Sequence, residues 1–284
     1  KYATIGGNFI PSENIGEVLN QGIDACVNWN DKVGEDFTYN LGLNITFTKN
    51  KLRKTNELSN IEDYRKSIGQ PTSAIFGWQS QGLFGKDVAI AGHPFQSFGN
   101  YQVGDIAYAD LNNDGMVDNN DQTRIGQSFP KTTLGVDVTL NYKGFGLYIL
   151  GTATTGVTQM LTSTYYWNKG LDGYSVLAED RYHPVNNPTG TQPRLTTTSG
   201  VNNYRNSTFW TKNGSFFRLK NVELSYTLNN NSKKGIGKNY KFFVRGANLF
   251  VLSGIKELDP EQMLAGISNY PVYRTITGGV SINF

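Results

Sequence analysis

Apolar and polar residues alternate with a period of two in several segments of the chain. The clearest is residues 37–47, where Phe, Tyr, Leu and Ile fill every second position and Thr, Asn and Gly fill the others. The same alternation recurs at residues 134–142 and 222–228. Because successive side chains of a β-strand point to opposite faces, each segment predicts a strand with one apolar and one polar face.

The last fifteen residues follow the same pattern up to the end of the chain. Val280, Ile282 and Phe284 alternate with smaller and more polar residues. A strand with this pattern suits a membrane β-barrel, which has lipid on one side and the lumen on the other. A final Phe on the apolar parity resembles the C-terminal signal by which outer-membrane barrels are recognised for assembly. These three residues are therefore the candidate assembly signal.

Weaker strand patterns bring the predicted number of strands to about eight. They lie near residues 2–10, 15–28, 144–156 and 238–252. Short polar connections are predicted at 30–34, 142–144 and 229–238, and they alternate with long loops at 51–130, 157–213 and 253–269. Transmembrane barrels alternate short periplasmic turns with long extracellular loops in this way. We therefore expect an all-β, antiparallel transmembrane β-barrel. On the pattern alone, a secreted β-sandwich with inserted loops stays open as an alternative.

Composition narrows the functional class. The sequence has no run of eighteen apolar residues, so a membrane-spanning helix is not expected. The net charge is only +3 and the basic residues are scattered, which argues against nucleic acid as a partner. The single cysteine, Cys26, excludes an internal disulfide framework. The chain begins at Lys1 without a signal peptide, which suggests the C-terminal part of a longer protein.

One acidic segment, DLNNDGMVDNND at residues 110–121, has the spacing of a calcium loop. Calcium takes six to eight oxygen ligands, and a glycine at the sixth position allows the necessary sharp turn. The departure from the EF-hand pattern is an aspartate in place of the bidentate glutamate at the twelfth position. An acidic turn held by its own hydrogen bonds, without an ion, is the alternative. The candidate ligands are Asp110, Asn112, Asp114, the backbone carbonyl of Met116, Asp118 and Asp121.

The long predicted loops carry aromatic residues but no catalytic constellation. The two histidines, His93 and His183, lie in loops beside no nucleophile pattern, so we do not expect an enzyme. Aromatic faces stack on sugar rings and on apolar side chains, so they could line a substrate chamber. The alternatives are packing within the loops or an interfacial girdle, which is favoured for Trp210. The candidate substrate or lid residues are Phe76, Trp78, Tyr165, Tyr166 and Trp167, with Phe84 in the same group.

Six segments of the chain carry a recognisable set of motifs. They are residues 14–24, 104–145, 216–228, 245–253, 258–261 and 270–284. Together they resemble the SusC/RagA-type TonB-dependent outer-membrane transporters. The segments occur in the family's order and cover nearly all of the chain except the interiors of the long loops. One departure is Asp24, where Glu is usual in the family.

The resemblance implies the C-terminal portion of a 22-stranded barrel, with the plug and early strands absent from residues 1–284. It implies import of oligosaccharides or peptides across the outer membrane of a Gram-negative bacterium. The implied partners are a SusD-like surface lipoprotein and the TonB complex, which would act through the absent N-terminal part. The polar parity (Asn40, Asn44, Asp137, Asn141, Asn221 and Glu223) should face the lumen and the apolar parity should face lipid. The alternative is a self-contained eight-stranded barrel with an adhesin or structural role.

Overall fold

The computed structural model describes residues 14–170, 173–196, 201–229, 239–262 and 270–283. Short 3-10 helices lie at Asp63–Arg65, Asn119–Asp121, Val176–Asp180 and Thr208–Trp210, and the regular structure of these ranges is otherwise β. In chain order the strands are β1 (Glu17–Val33), β2 (Phe37–Lys54), β3 (Ala74–Gly77), β4 (Ser80–Leu83), β5 (Phe95–Gln96), β6 (Ile106–Tyr108), β7 (Met116–Val117), β8 (Thr123–Gln127), β9 (Thr132–Tyr142), β10 (Phe145–Thr155), β11 (Thr158–Met160), β12 (Thr211–Asn213), β13 (Phe216–Asn229), β14 (Asn239–Ser253) and β15 (Thr275–Asn283).

Seven long strands form one antiparallel sheet, the main sheet, in the order β1-β2-β9-β10-β13-β14-β15. Each long strand pairs with the next long strand along the chain, which is the meander that a barrel wall requires. Strands β1 and β15 lie at the two edges, so the described part of the sheet is open. The prediction of an all-β, antiparallel fold is confirmed.

The predicted strands reappear with shifted ends. Strand β1 continues to Val33, so the turn predicted at residues 30–34 lies instead at residues 34–36. Polar residues of β1 such as Asn30 and Asp31 resemble a turn in sequence, but they pair with Asn40 and Tyr39 of β2. The predicted strand at residues 2–10 and most of the turn at 229–238 lie outside the described residues. The eighth predicted strand is therefore untested.

The β9–β10 hairpin shows how local sequence fixes a short turn. Tyr142 pairs with Phe145, which leaves a two-residue loop of Lys143 and Gly144. Both loop residues have positive φ, 47° and 87°, as the type I′ turns favoured in hairpins require. Glycine adopts this conformation without the steric penalty that a Cβ would bring. This turn and residues 34–36 lie at the same end of the main sheet.

The other end of the main sheet carries three long connections. The first long loop (residues 55–131), the second (156–215) and the third (254–274) join consecutive strands of the main sheet. The first and second long loops contain regular structure, since the eight strands from β3 to β8, β11 and β12 form four small two-stranded sheets within them. Among the described residues, no helix is long and apolar enough to cross a membrane.

The buried core of the described residues lies in the long loops and not against the main sheet. Its buried members come from all three long loops, and we call this cluster the loop core. They are Trp78, Leu83, Ile106, Tyr108, Val117, Leu161, Tyr166, Tyr182, Trp210 and Ile255. A β-sandwich would bury one face of its large sheet in this way. The main sheet instead leaves its apolar face open, which contradicts the sandwich alternative.

Candidate functional site

The register of the main sheet separates its side chains into one apolar and one polar face. On β2 the apolar parity runs from Phe37 to Phe47, with Leu41 43% exposed in the middle. Beyond Phe47 the same parity changes to Lys49, Lys51 and Arg53. Eleven residues at about 3.4 Å per residue, tilted by about 45°, span about 25 Å, the height of the apolar band of a membrane barrel. The apolar face therefore has the dimensions of a lipid-facing band.

An aromatic row crosses the apolar face near the short-turn end. The residues are neighbours on successive strands, and the rings of Phe145 and Tyr226 lie with their centroids 4.5 Å apart. Aromatic girdles mark the membrane–water interface of transmembrane barrels. The row consists of Phe37, Tyr142, Phe145, Tyr226 and Phe242.

Trp210, the residue favoured for the girdle from the sequence, is not in this row. It is 2% exposed and packs in the loop core, so that interpretation was wrong. The row itself was missed because it depends on the pairing of residues up to 105 positions apart in sequence. Aromatic residues flanking each short turn were the available signal.

The polar parity lies on the opposite face, as predicted. Leu150 of β10 is paired with Asp137 on one side and Asn221 on the other. Asn40 and Asn44 of β2 are paired with Thr139 and Gly135, on the parity of β9 that also carries Asp137 and Asn141. Glu223 shares this face because its partner Tyr148 also pairs with Thr139. The six predicted lumen residues therefore share one face.

Two ionic clusters lie on the polar face of β13. Glu223 accepts from Lys241 at 2.6 Å and from Arg245 Nε at 2.8 Å. Nearer the long loops, Arg218 is 3% exposed and holds Asp259 of the third long loop with contacts of 2.6 and 2.7 Å. This pair keeps the described part of the third long loop against the polar face.

A cleft of about 340 Å³ lies beside the Arg218 cluster. Its lining joins the polar face of β2, β9 and β10 to Glu261 of the third long loop, which also bonds Lys220 at 3.0 Å. The lining combines polar side chains such as those of Asn44 and Thr133 with the apolar side chains of Leu134 and Phe216. The cleft therefore offers both polar and apolar contacts.

The loop aromatics fall into two groups. Trp78, Phe84 and Tyr166 are 7%, 0% and 3% exposed, so their rings serve the packing of the loops. Phe76, Tyr165 and Trp167 are only half-buried. For the buried three, packing within the loops fits the structure better than an open substrate surface. For the half-buried three, contact with substrate stays a prediction.

A buried polar network ties the first long loop to the second. Asp105 is 1% exposed and pairs with Arg194 at 2.8 Å. Asn203 donates to the same carboxylate at 2.8 Å and accepts from the backbone N–H of Ile106 at 2.9 Å. Gln96 donates to Asn202 at 2.6 Å. Because each buried polar group has a partner, the network fixes the relative position of the two loops.

The acidic segment 110–121 forms a compact turn closed by hydrogen bonds from its own donors. Asp110 accepts from the backbone N–H groups of Asn113 at 2.7 Å and Gly115 at 2.9 Å. The buried Asp121 accepts from Leu111 and from Asp118. Asn112 and Asp114 bond each other, and Met116 donates its N–H to Asp114. In the described residues, no three His, Cys, Asp or Glu side chains are grouped as a metal site, so calcium rests on the sequence motif alone.

The candidate assembly signal is described only in part. Val280 and Ile282 of β15 lie on the apolar parity, 56% and 45% exposed, next to Phe242 and Tyr240 of β14. Phe284 lies outside the described residues. An apolar last strand agrees with the motif, and its role in assembly stays a prediction.

Comparison with known proteins shows what the chain is similar to. No family model matches the chain. It is 27% identical to TonB-dependent receptor P26 of Formosa agariphila, over 96% of this chain and 30% of that protein. It is 26% identical to TonB-dependent receptor SusC of Bacteroides thetaiotaomicron, over 99% of this chain and 28% of that protein. The chain is therefore similar in sequence to one part of the TonB-dependent receptors, SusC among them.

Comparison with solved structures shows a similar fold. The RagAB peptide importer in its open-open state matches with a TM-score of 0.69 and 17% identity, over 96% of this chain and 29% of that chain. Its closed-closed state matches with a TM-score of 0.68. The chain spans less than a third of the length of these proteins. All are named receptors or importers, in agreement with the expectation that the chain is not an enzyme.

Proposed function

We propose that the chain forms part of the wall and the outer loops of a TonB-dependent nutrient importer in the outer membrane of a Gram-negative bacterium. The observation that carries the proposal is the division of the main sheet into an apolar face with an aromatic row and a polar face with ionic clusters. Lipid on one side and a wet lumen on the other require this arrangement. All three long loops lie at one end, where an importer would receive its substrate.

The chain would supply the C-terminal portion of the barrel, with residues 1–284 forming about eight of its strands. The edges at β1 and β15 are open in the described part of the sheet, and this supports the proposal because unpaired backbone groups at a sheet edge cannot face lipid. Other strands of a larger barrel, with 22 strands in all, would complete the hydrogen bonding and enclose a plug. A self-contained eight-stranded adhesin would have to close through residues outside the described ranges.

The proposed substrates are oligosaccharides or peptides, captured under a SusD-like surface lipoprotein and moved with energy from the TonB complex. One relative is named SusC, and one structural neighbour is named a peptide importer. The cleft beside the Arg218 cluster and the half-buried loop aromatics would form part of the path. The TonB complex would act through parts of the protein beyond this chain.

The test is performed on the native protein. A peptide from this sequence identifies the polypeptide in detergent-extracted outer membranes, and its intact mass is measured. If the chain belongs to an importer, the polypeptide should be several times larger than the 31.5 kDa of this chain and should copurify with a lipoprotein. Deletion of the gene for this polypeptide should abolish growth on the imported nutrient. A polypeptide near 31.5 kDa would instead support the self-contained barrel.

Calcium binding by residues 110–121 is a separate proposal, supported by the oxygen donors Asp110, Asn112, Asp114, Asp118 and Asp121. Calcium is expected to raise the melting temperature of the full-length protein and to protect this loop from proteolysis. Asp110→Asn should remove both effects.

Asp63→Asn is the matched control, since Asp63 is an exposed acid of the same long loop and should leave both calcium effects intact. Equal stability with calcium and with a chelator in the unaltered protein would contradict calcium binding.

A further inference from the structure

Arg205 of the second long loop lies against two aromatic rings of the first. Its guanidinium carbon lies 3.7 Å from the centroid of the Phe98 ring and 4.8 Å from that of Trp78. The Nε group donates to the backbone carbonyl of Val201 at 3.0 Å. Contact with aromatic rings is a favourable arrangement for an arginine cation. The rings and the Val201 carbonyl together hold the side chain in place.

No acidic group of the described ranges neutralises this cation. The ion pairs of the described residues are formed by other side chains. Neither Nη group of Arg205 donates a hydrogen bond to a described residue. The side chain is half-buried, and burial lowers the pKa of Arg205 below its ordinary value. A partly desolvated guanidinium without a counterion is costly, and a bound anion would offset that cost.

A second cation lies against rings that pack on the same loop core. The ammonium of Lys169 is 5.4 Å from the centroid of the Trp167 ring and 5.9 Å from that of Tyr204. Within the described residues Lys169 likewise has no ion pair. Tyr204 precedes Arg205 in the chain and stacks on Trp210 of the loop core. The loop core thus carries two half-buried cations.

We propose that Arg205 binds a carboxylate group of the transported substrate. This rests on the function proposed above and narrows it to substrates that carry negative charge. The guanidinium fork matches the two oxygens of a carboxylate, and carboxylates are the anions that peptides and uronic acid oligosaccharides share. Lys169 adds a second positive charge to the loop core. The neighbouring rings of Trp78 and Phe98 hold the fork in place.

The experiment compares carboxylates with their esters. Full-length receptor in detergent is incubated with two probes, a tryptic digest of casein and a mixture of oligogalacturonates, each in free and methyl-esterified form. The retained material is quantified by mass spectrometry. The variants are Arg205→Met, which removes the charge, and Arg205→Lys, which keeps it but lacks the fork. Arg181→Met is the control because Arg181 is an exposed arginine of the same long loop.

With one of the two probes, the unaltered receptor should retain the free carboxylates at least about tenfold better than their esters, since charge-assisted hydrogen bonds are stronger than neutral ones. The probe that shows this preference identifies the carboxylate of the substrate as that of a peptide or of a uronic acid. Arg205→Met should lose the preference without losing the esterified form, Arg205→Lys should keep only part of it, and Arg181→Met should keep it all.

Two results would overturn the carboxylate site. One is equal retention of acids and esters by the unaltered receptor with both probes. The other is an equal loss of acids and esters in Arg205→Met, which would assign Arg205 to loop packing. If Arg205→Met does not assemble, an unchanged preference in Arg205→Lys refutes the site. Failure of the importer function is seen separately, in the mass and growth tests of the native protein.

Discussion

The substitution Leu41→Arg is expected to prevent most of the protein from assembling in the outer membrane. Leu41 lies at the middle of the apolar parity of β2, opposite Trp29 of β1 and Val138 of β9. An arginine at mid-depth on the lipid face costs about 2–4 kcal/mol, which shifts assembly by a factor of about 30 or more. The measurement is the amount of folded full-length protein in purified outer membranes.

The control for Leu41→Arg is Asn40→Arg, the next position on the same strand. Asn40 lies on the polar face, where it contacts Asn30, so a charged side chain there can reach water. We expect near-normal assembly and at most a change in the lumen. Equal assembly of the two variants would show that the assignment of the faces is wrong.

Trp210→Ala should loosen all three long loops while the main sheet still assembles. The indole is 2% exposed, donates to the Asn203 carbonyl at 2.7 Å and contacts Trp167, Tyr204 and Phe209. Removing a buried tryptophan side chain costs about 3–5 kcal/mol through lost burial and the cavity left behind. Protease added to intact cells should cut the variant faster within the long loops.

Phe129→Ala is the matched control for the tryptophan variant. Phe129 belongs to the first long loop but is 69% exposed, so its truncation removes little buried area. The rate of cleavage should stay near that of the unaltered protein. If Trp210→Ala were as resistant to protease as Phe129→Ala, the loop core would not hold the loops together.

The strands could be predicted from sequence because a half-buried strand imposes a period of two on its own residues. Phe37 to Phe47 shows that period without reference to any partner. The ends were less accurate, since Asn30 and Asp31 are turn-type residues that lie in β1 because they pair with β2. The short-turn end and the polar face followed from parity alone.

The site could be predicted only in outline, because its parts meet through long-range contacts. Trp210 contacts Trp167, 43 positions earlier, and its burial is invisible in a local pattern. Arg205 gave no sequence signal, since its significance depends on Phe98 and Trp78 lying beneath it. The Asp105–Arg194 pair likewise joins two loops whose contact no local sequence pattern indicates.

The shared loop core also limits how such a protein can be re-engineered for a new nutrient. Ile255 of the third long loop packs with residues of the first and second, so none of the three is an independent module. Grafting a single loop from a relative would leave cavities and unpaired polar groups at its contacts with the other two. Chimeras should therefore exchange the three loops together on a retained strand scaffold, and natural diversification should show matched changes across all three.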